Sequence, residues 1–88
     1  MMNSLDDPIR TASTVAEGGT IVVEVSENVA EVHFVVPGQG SVVVQVVNGR
    51  AEYHLPPSVR GGSSILVTDG LIPNPTVKRV RVIGGLSR

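Results

Sequence analysis

Along this chain apolar and polar residues alternate with period two, and nowhere does an apolar stripe recur with the 3.6-residue period of a helix. Valine fills 18 of the 88 positions, and β-branched side chains suit a pleated, half-buried surface. The expected fold is therefore all-β. Clusters of Gly, Pro and Asn bound the alternating runs, which predicts strands at 20–25, 30–36, 41–47, 50–55, 64–68 and 77–83, with a short extended piece at 58–60. Short strands at such regular spacing point to a small antiparallel β-sandwich or a partly open barrel. The chain divides into an extended or flexible N-terminal arm at 1–19, a sandwich domain at 20–84 and a C-terminal tail at 85–88.

Two turns predict a register for the middle of the chain. Asn48-Gly49 is a two-residue hairpin signal, because both central positions of a type I′ turn need φ > 0. It sets Val47 opposite Arg50, Val46 opposite Ala51, Val44 opposite Tyr53 and Val42 opposite Leu55. Upstream, a three-residue loop at Gly38-Gln39-Gly40 sets Val36 opposite Val42, Phe34 opposite Val44 and Val32 opposite Val46. Both turns put Val32, Phe34, Val36, Val42, Val44, Val46, Ala51, Tyr53 and Leu55 on one face of a central three-stranded meander. A one-residue slip would scatter that set.

The opposite face of the meander would carry a valine ridge of Val35, Val43 and Val47 between charges, with rows Glu31–Val47–Arg50, His33–Gln45–Glu52 and Val35–Val43–His54. Val22, Leu66 and Ile83 also fall opposite their strands' core positions. Several apolar side chains on one outer sheet face form a patch that a partner can cover. In the last strand Val77 is out of phase with Val80, so a bulge near Lys78-Arg79 is expected. Arg79 and Arg81 would point outward and guard an exposed edge. Residues 69–75 (DGLIPNP) read as a loop, because their prolines exclude regular pairing.

Residues 1–19 lack sustained periodicity. They fit either a flexible terminus or an arm whose Leu5, Ile9 and Val15 anchor it across a neighbouring molecule.

Composition removes whole classes of function. Seven basic against eight acidic residues leave a formal charge of −1 and a pI near 6.0, without the basic face expected of a nucleic-acid binder. Without cysteine there is no disulfide, thiolate metal site or thiol nucleophile. Apolar runs stop at three residues, against the roughly 20 that span a bilayer, and no signal peptide is seen. No nucleic-acid or membrane partner is expected. The chain starts at Met1 and reads as a complete small product.

Candidate chemistry is thin. Glu31-Val32-His33 and Glu52-Tyr53-His54 each place a carboxylate and an imidazole on one strand face, as a metal or an acid–base pair would need. The meander puts the two histidines in different rows on strands about 10 Å apart, whereas zinc must gather its ligands at roughly 2.0–2.1 Å. They read as solvated surface side chains. Ser58, Ser63 and Ser64 lack a G-x-S-x-G elbow, and none of the glycine pairs opens a helix that could hold phosphate. Neither an enzyme nor a cofactor is expected. Tyr53, the one aromatic with a polar tip, falls on the core face, so no exposed platform awaits a sugar.

Residues 48–70, NGRAEYHLPPSVRGGSSILVTDG, carry Asn48-Gly49, Ala51, Tyr53, Leu55-Pro56, Gly62 and Ile65/Val67 in an order that resembles the middle of bacterial and phage immunoglobulin-like or prealbumin-like β-sandwich modules. The match covers about a quarter of the chain, and Gly62-Ser63-Ser64 stands where the pattern usually has an aromatic. The resemblance implies a role in display, adhesion or assembly, and in virions as a decoration, head–tail or tail component.

The expected function is accordingly that of a non-enzymatic structural or assembly protein. Its most concrete form is a phage or virus-like virion component that makes sheet-face and N-terminal-arm contacts, located in the virion or the cytoplasm of the producing cell. It would form a homo-oligomer or assemble on a larger protein scaffold. The candidate interface comprises Leu5, Ile9, Val15, Val35, Val43, Val47, Arg79 and Arg81. The alternative is a small β-sandwich binding module for a glycan or surface protein, with the 69–75 loop as its reader.

Overall fold

The structure, a computed structural model, describes residues 8–70 and 75–84. Its strands in chain order are β1 (Ile9–Thr11), β2 (Thr14–Ala16), β3 (Thr20–Val25), β4 (Glu31–Val36), β5 (Gly40–Gln45), β6 (Arg50–His54), β7 (Ser64–Thr68) and β8 (Val77–Ile83). They form a three-stranded sheet, β1-β3-β6, and a five-stranded sheet, β2-β8-β7-β4-β5, packed face to face. The fold is the all-β sandwich that the alternation predicts. Every pair is antiparallel except β2 with β8, which run parallel.

The core lies between the sheets. Ile21, Val23 and Val25 of β3 and Ala51 of β6 face Val32, Phe34 and Val36 of β4, Ile65 and Val67 of β7, and Val80 and Val82 of β8, all of them buried. Fully burying a side chain of this kind contributes about 1.5–3 kcal/mol. Alternation thus selects which half of the valines hold the sheets together.

The predicted meander does not form. Asn48 (φ 54°) and Gly49 (φ 76°) make the expected turn, with Val47 N donating to Arg50 O at 2.9 Å and Arg50 N to Val47 O at 3.1 Å. Beyond that single bridge the two strands part. Val46 N turns back to Ala30 O (3.0 Å), while Val25 N takes Gly49 O (3.0 Å) and draws β6 onto β3. The reason is burial. A flat meander would hold nine apolar residues on one face and need a second apolar layer to cover them. Opening the hairpin at Val46 lets the two halves of that set cover each other. The set itself survives, since Val32, Phe34, Val36, Ala51 and Leu55 are buried and Val42, Val44, Val46 and Tyr53 line the core's rim.

Between β4 and β5 the register differs by two residues from expectation, with Phe34 opposite Val42 and Val32 opposite Val44. Gln39 N donates to Val36 O at 2.9 Å, so Pro37 and Gly38 (φ 79°) are the central residues of the turn, as suits a type II geometry. The loop is therefore 37–39 rather than 38–40. A shift of two leaves every side chain on its predicted face.

Three other expectations are corrected. Residues 9–16 are part of the domain, which begins well before residue 20. β1 pairs with β3 and β2 with β8, so one continuous segment crosses from one sheet to the other and closes that side of the sandwich. No bulge interrupts β8: it pairs residue for residue with β7 from Val77 to Arg81, and Val77 simply points outward. Residues 58–60 form no strand. Val59 N donates to Pro56 O at 3.1 Å in a turn that inserts the Val59 side chain into the core.

Candidate functional site

The two outer faces differ in character. On the three-stranded sheet, Arg10, Glu24 and Arg50 stand side by side on neighbouring strands. Each Glu24 oxygen lies 3.9 Å from one arginine, and Arg50 reaches Glu52 at 3.8 Å. Below them Thr20 Oγ1 and His54 Nδ1 hydrogen-bond at 3.1 Å. Among the described residues Val22 is the one large apolar side chain exposed on this face. It is a solvated surface: exposed ion pairs of this kind contribute under about 1 kcal/mol each.

The outer face of the five-stranded sheet is apolar through its middle. Its central row reads Ser41, Val35, Leu66, Arg79 across β5, β4, β7 and β8, and the next reads Val43, His33, Thr68, Val77. Val35 and Leu66 are direct neighbours, while Val43 and Val77 sit diagonal to them, within reach across a sheet. Val43 is 48% exposed and Val77 54% exposed. Ile83 adds a further exposed side chain beyond Arg81. At the opposite end a polar cluster closes the patch. Glu31 accepts from Gln45 Nε2 at 3.4 Å and meets His33 Nε2 at 3.0 Å, and the His33 ring lies over Gly70.

Each expected interface residue has a definite place. Val35 and Val43 lie on this apolar face. Val47 is 66% exposed, but at the Asn48-Gly49 corner, where it helps line an open cleft of about 490 Å³ with Gln45, Asn48, Arg50, Ala51 and Glu52. Arg79 and Arg81 do point outward, but β2 covers β8 from Arg81 to Ile83, so only Arg79 lies on a stretch with no strand beside it on that side among the described residues. β2 pairs alongside Arg81, and Arg81 N donates to Ser13 O at 2.9 Å. Ile9 is fully buried and Val15 is packed against the core, opposite Val82. Both therefore anchor the chain to itself rather than to a neighbour, because the strands they occupy complete its own sheets. Leu5, the 85–88 tail and residues 71–74 of the expected ligand loop lie outside the described residues.

Leu66 and Val77 are the additions that the structure makes to the patch. Leu66 was legible as an outward residue of its strand. Val77 was not, because the expected bulge turned it inward.

The two Glu-x-His pairs occupy outer faces of opposite sheets, Glu31/His33 on β4 and Glu52/His54 on β6. Among the described residues no three of His, Asp and Glu gather in a metal-binding arrangement. Tyr53 stacks on Phe34 between the sheets, so its ring is no platform for a sugar. Among the described residues no helix is long and apolar enough to cross a membrane. Compared with protein-family models, with curated proteins and with solved structures, the chain finds a match in none of the three.

Proposed function

We propose that this chain is a non-enzymatic structural or assembly protein, most concretely a phage or virus-like virion component such as a capsid decoration, head–tail or tail protein. The carrying observation is the asymmetry of the two outer faces. One is laddered with ion pairs, while the other leaves Val35, Val43 and Val77 exposed around a half-buried Leu66. Burying those side chains against a protein partner is favourable in proportion to the apolar area removed from water. The sheet face carries this role. Of the N-terminal arm only residues 1–7 are left for it, since Ile9 and Val15 serve the chain's own core.

Strand order supports an immunoglobulin-like reading of the sandwich. With β1, β3 and β6 as strands A, B and E, and β8, β7 and β4 as G, F and C, the two sheets follow the immunoglobulin arrangement. The extra edge strand β5 then stands where variable-type domains add C′. Such modules build interfaces from sheet faces and edges without catalytic machinery.

Antibody labelling of virus particles purified from the producing cell tests the proposal. Regular, stoichiometric labelling is the expected result. A chain absent from particles and recovered as free monomer overturns the virion reading and places the protein in the cytoplasm.

A further inference from the structure

We propose that the free edge of β5 is a self-pairing site. There two copies of this chain join antiparallel about a two-fold axis through Val43, and fuse two five-stranded sheets into one of ten strands. The inference rests on the assembly reading above and gives it a location and an occupant.

The backbone identifies which groups are on offer. Val46 N donates to Ala30 O, which makes that pair, and every second pair along the ladder, the hydrogen-bonded kind. Val44, Val42 and Gly40 therefore spend their backbone groups on Val32, Phe34 and Val36. The N–H and C=O of Ser41, Val43 and Gln45 point the other way, and β5 has no other strand beside it among the described residues.

These outward residues are symmetric about Val43. A two-fold axis there sets Val43 opposite the partner's Val43 and Ser41 opposite the partner's Gln45. Each of the resulting three pairs exchanges two backbone bonds, and no outward group of the strand is left over. The side chains fit the same register. On the inner face Val42 comes beside the partner's Val44, so two half-buried valines at the rim of each core cover one another. On the outer face Val43 meets its own copy, and the small Ser41 faces the longer Gln45. β5 carries no charge, proline or bulge, the devices that normally protect an edge from such pairing.

The other edges lack this match. β6 lies on the same open side of the sandwich, and Leu55 N to Gly19 O with Val25 N to Gly49 O fixes its outward residues as Arg50, Glu52 and His54. The same symmetry there would press Glu52 against its copy, and like charges directly opposite are destabilising. β1 and β2 have three residues each. β5 alone combines length, neutrality and a symmetric set of free groups. Pairing there also makes the apolar outer faces of the two copies continuous across Val43. A six-residue edge buries less than a standard interface of about 1,200–2,000 Å². The dimer is therefore expected to be weak in solution and to strengthen where copies are held side by side.

Sedimentation velocity from low to high micromolar concentration tests this on the native chain, Val43→Pro and Val43→Lys. Val43 N–H faces outward, so proline removes an edge donor without taking a bond from the β4–β5 ladder. Lysine places two like charges on the axis. The native chain is expected to shift from monomer to dimer, with the dimer lost in both variants and retained in Val77→Lys, which alters the outer face alone. Amide hydrogen exchange provides a variant-free reading, in which Ser41, Val43 and Gln45 gain protection with concentration while Glu52 and His54 do not. A native chain that stays monomeric with these amides unprotected overturns the edge dimer, and particle labelling then decides the assembly reading separately. Dimers that persist in Val43→Pro with unprotected β5 amides also overturn it, while leaving assembly through another surface standing.

Discussion

Phe34 of β4 and Tyr53 of β6, the chain's two aromatic residues, stack across the gap between the sheets with ring centroids 5.1 Å apart and planes 24° from parallel. In a core built otherwise of aliphatic side chains, this pair is an aromatic tie between the layers. Phe34 is fully buried, whereas Tyr53 lies at the rim. Phe34→Ala is expected to cost about 3–5 kcal/mol of stability, a large fraction of what a small domain has. Phe34→Leu should cost clearly less. A double-mutant cycle with Tyr53→Leu, read by urea unfolding, should return about 0.5–1.5 kcal/mol of coupling beyond area burial. A coupling of zero would mean the rings are neighbours without mutual preference.

Ile9 tests the N-terminal strand in the same way. It is fully buried opposite Val25 on the edge of the three-stranded sheet, so Ile9→Ala should destabilise by about 2–5 kcal/mol. An arm that served only a neighbour would show no loss in the isolated monomer. Thermal melting of the variant at low micromolar concentration separates the two, since an intermolecular role would also make the melting temperature depend on concentration.

The contrast between Ile9 and the alternating strands shows what could be read from sequence. Parity was legible: Val32, Phe34, Val36, Ala51 and Leu55 face inward as expected, because a two-residue period survives any even shift in register. Partner choice was not. Nothing within residues 46–50 says whether a hairpin continues past its first bridge, since that depends on Ile21, Val23 and Val25 of β3 offering β6 a better-covered face. The short β1 and β2 were hidden for a related reason. Three residues are too few for a period, and their pairing is set by the edges of β3 and of the distant β8 rather than by the segment itself. The patch was legible except for Val77. Val35 and Val43 followed from parity, but the free edge of β5 disappeared inside a meander that the fold does not make.

The Asn48-Gly49 corner should be sensitive to conformation rather than to contacts. Gly49 has φ 76°, and a Cβ there would meet only Val25 O, at an ordinary 3.8 Å. Gly49→Ala therefore loses about 1–2 kcal/mol, the usual penalty for an L-residue in the left-handed region. Asn48→Gly should be close to neutral, and Asn48→Val should lose more than Gly49→Ala because a β-branched side chain tolerates positive φ least. Equal losses in all three would show that the turn relaxes to another geometry, which the Val47–Arg50 amide protection would reveal.

Gly61 makes the opposite demand, for space. Its φ is unremarkable for any residue, but a Cβ would stand 2.6 Å from Gly84 N, 2.7 Å from Gly84 Cα and 3.2 Å from Glu17 Oε2. Here the 56–63 connection passes against the end of β8, and Gly62 N donates to Val82 O while Val82 N donates to Ser63 O, both at 2.8 Å. Glu17 ties the N-terminal segment to the same point by accepting from Gly61 N. Neither backbone can yield as the end of a flexible side chain would. Gly61→Ala should destabilise by about 1–3 kcal/mol, the range for overpacking. Hydrogen exchange should show the damage first at Gly62 and Val82, with β3 and β4 still protected. A variant as stable as the native chain would mean that the two segments separate without loss, and that this end of the sandwich is not held by their close approach.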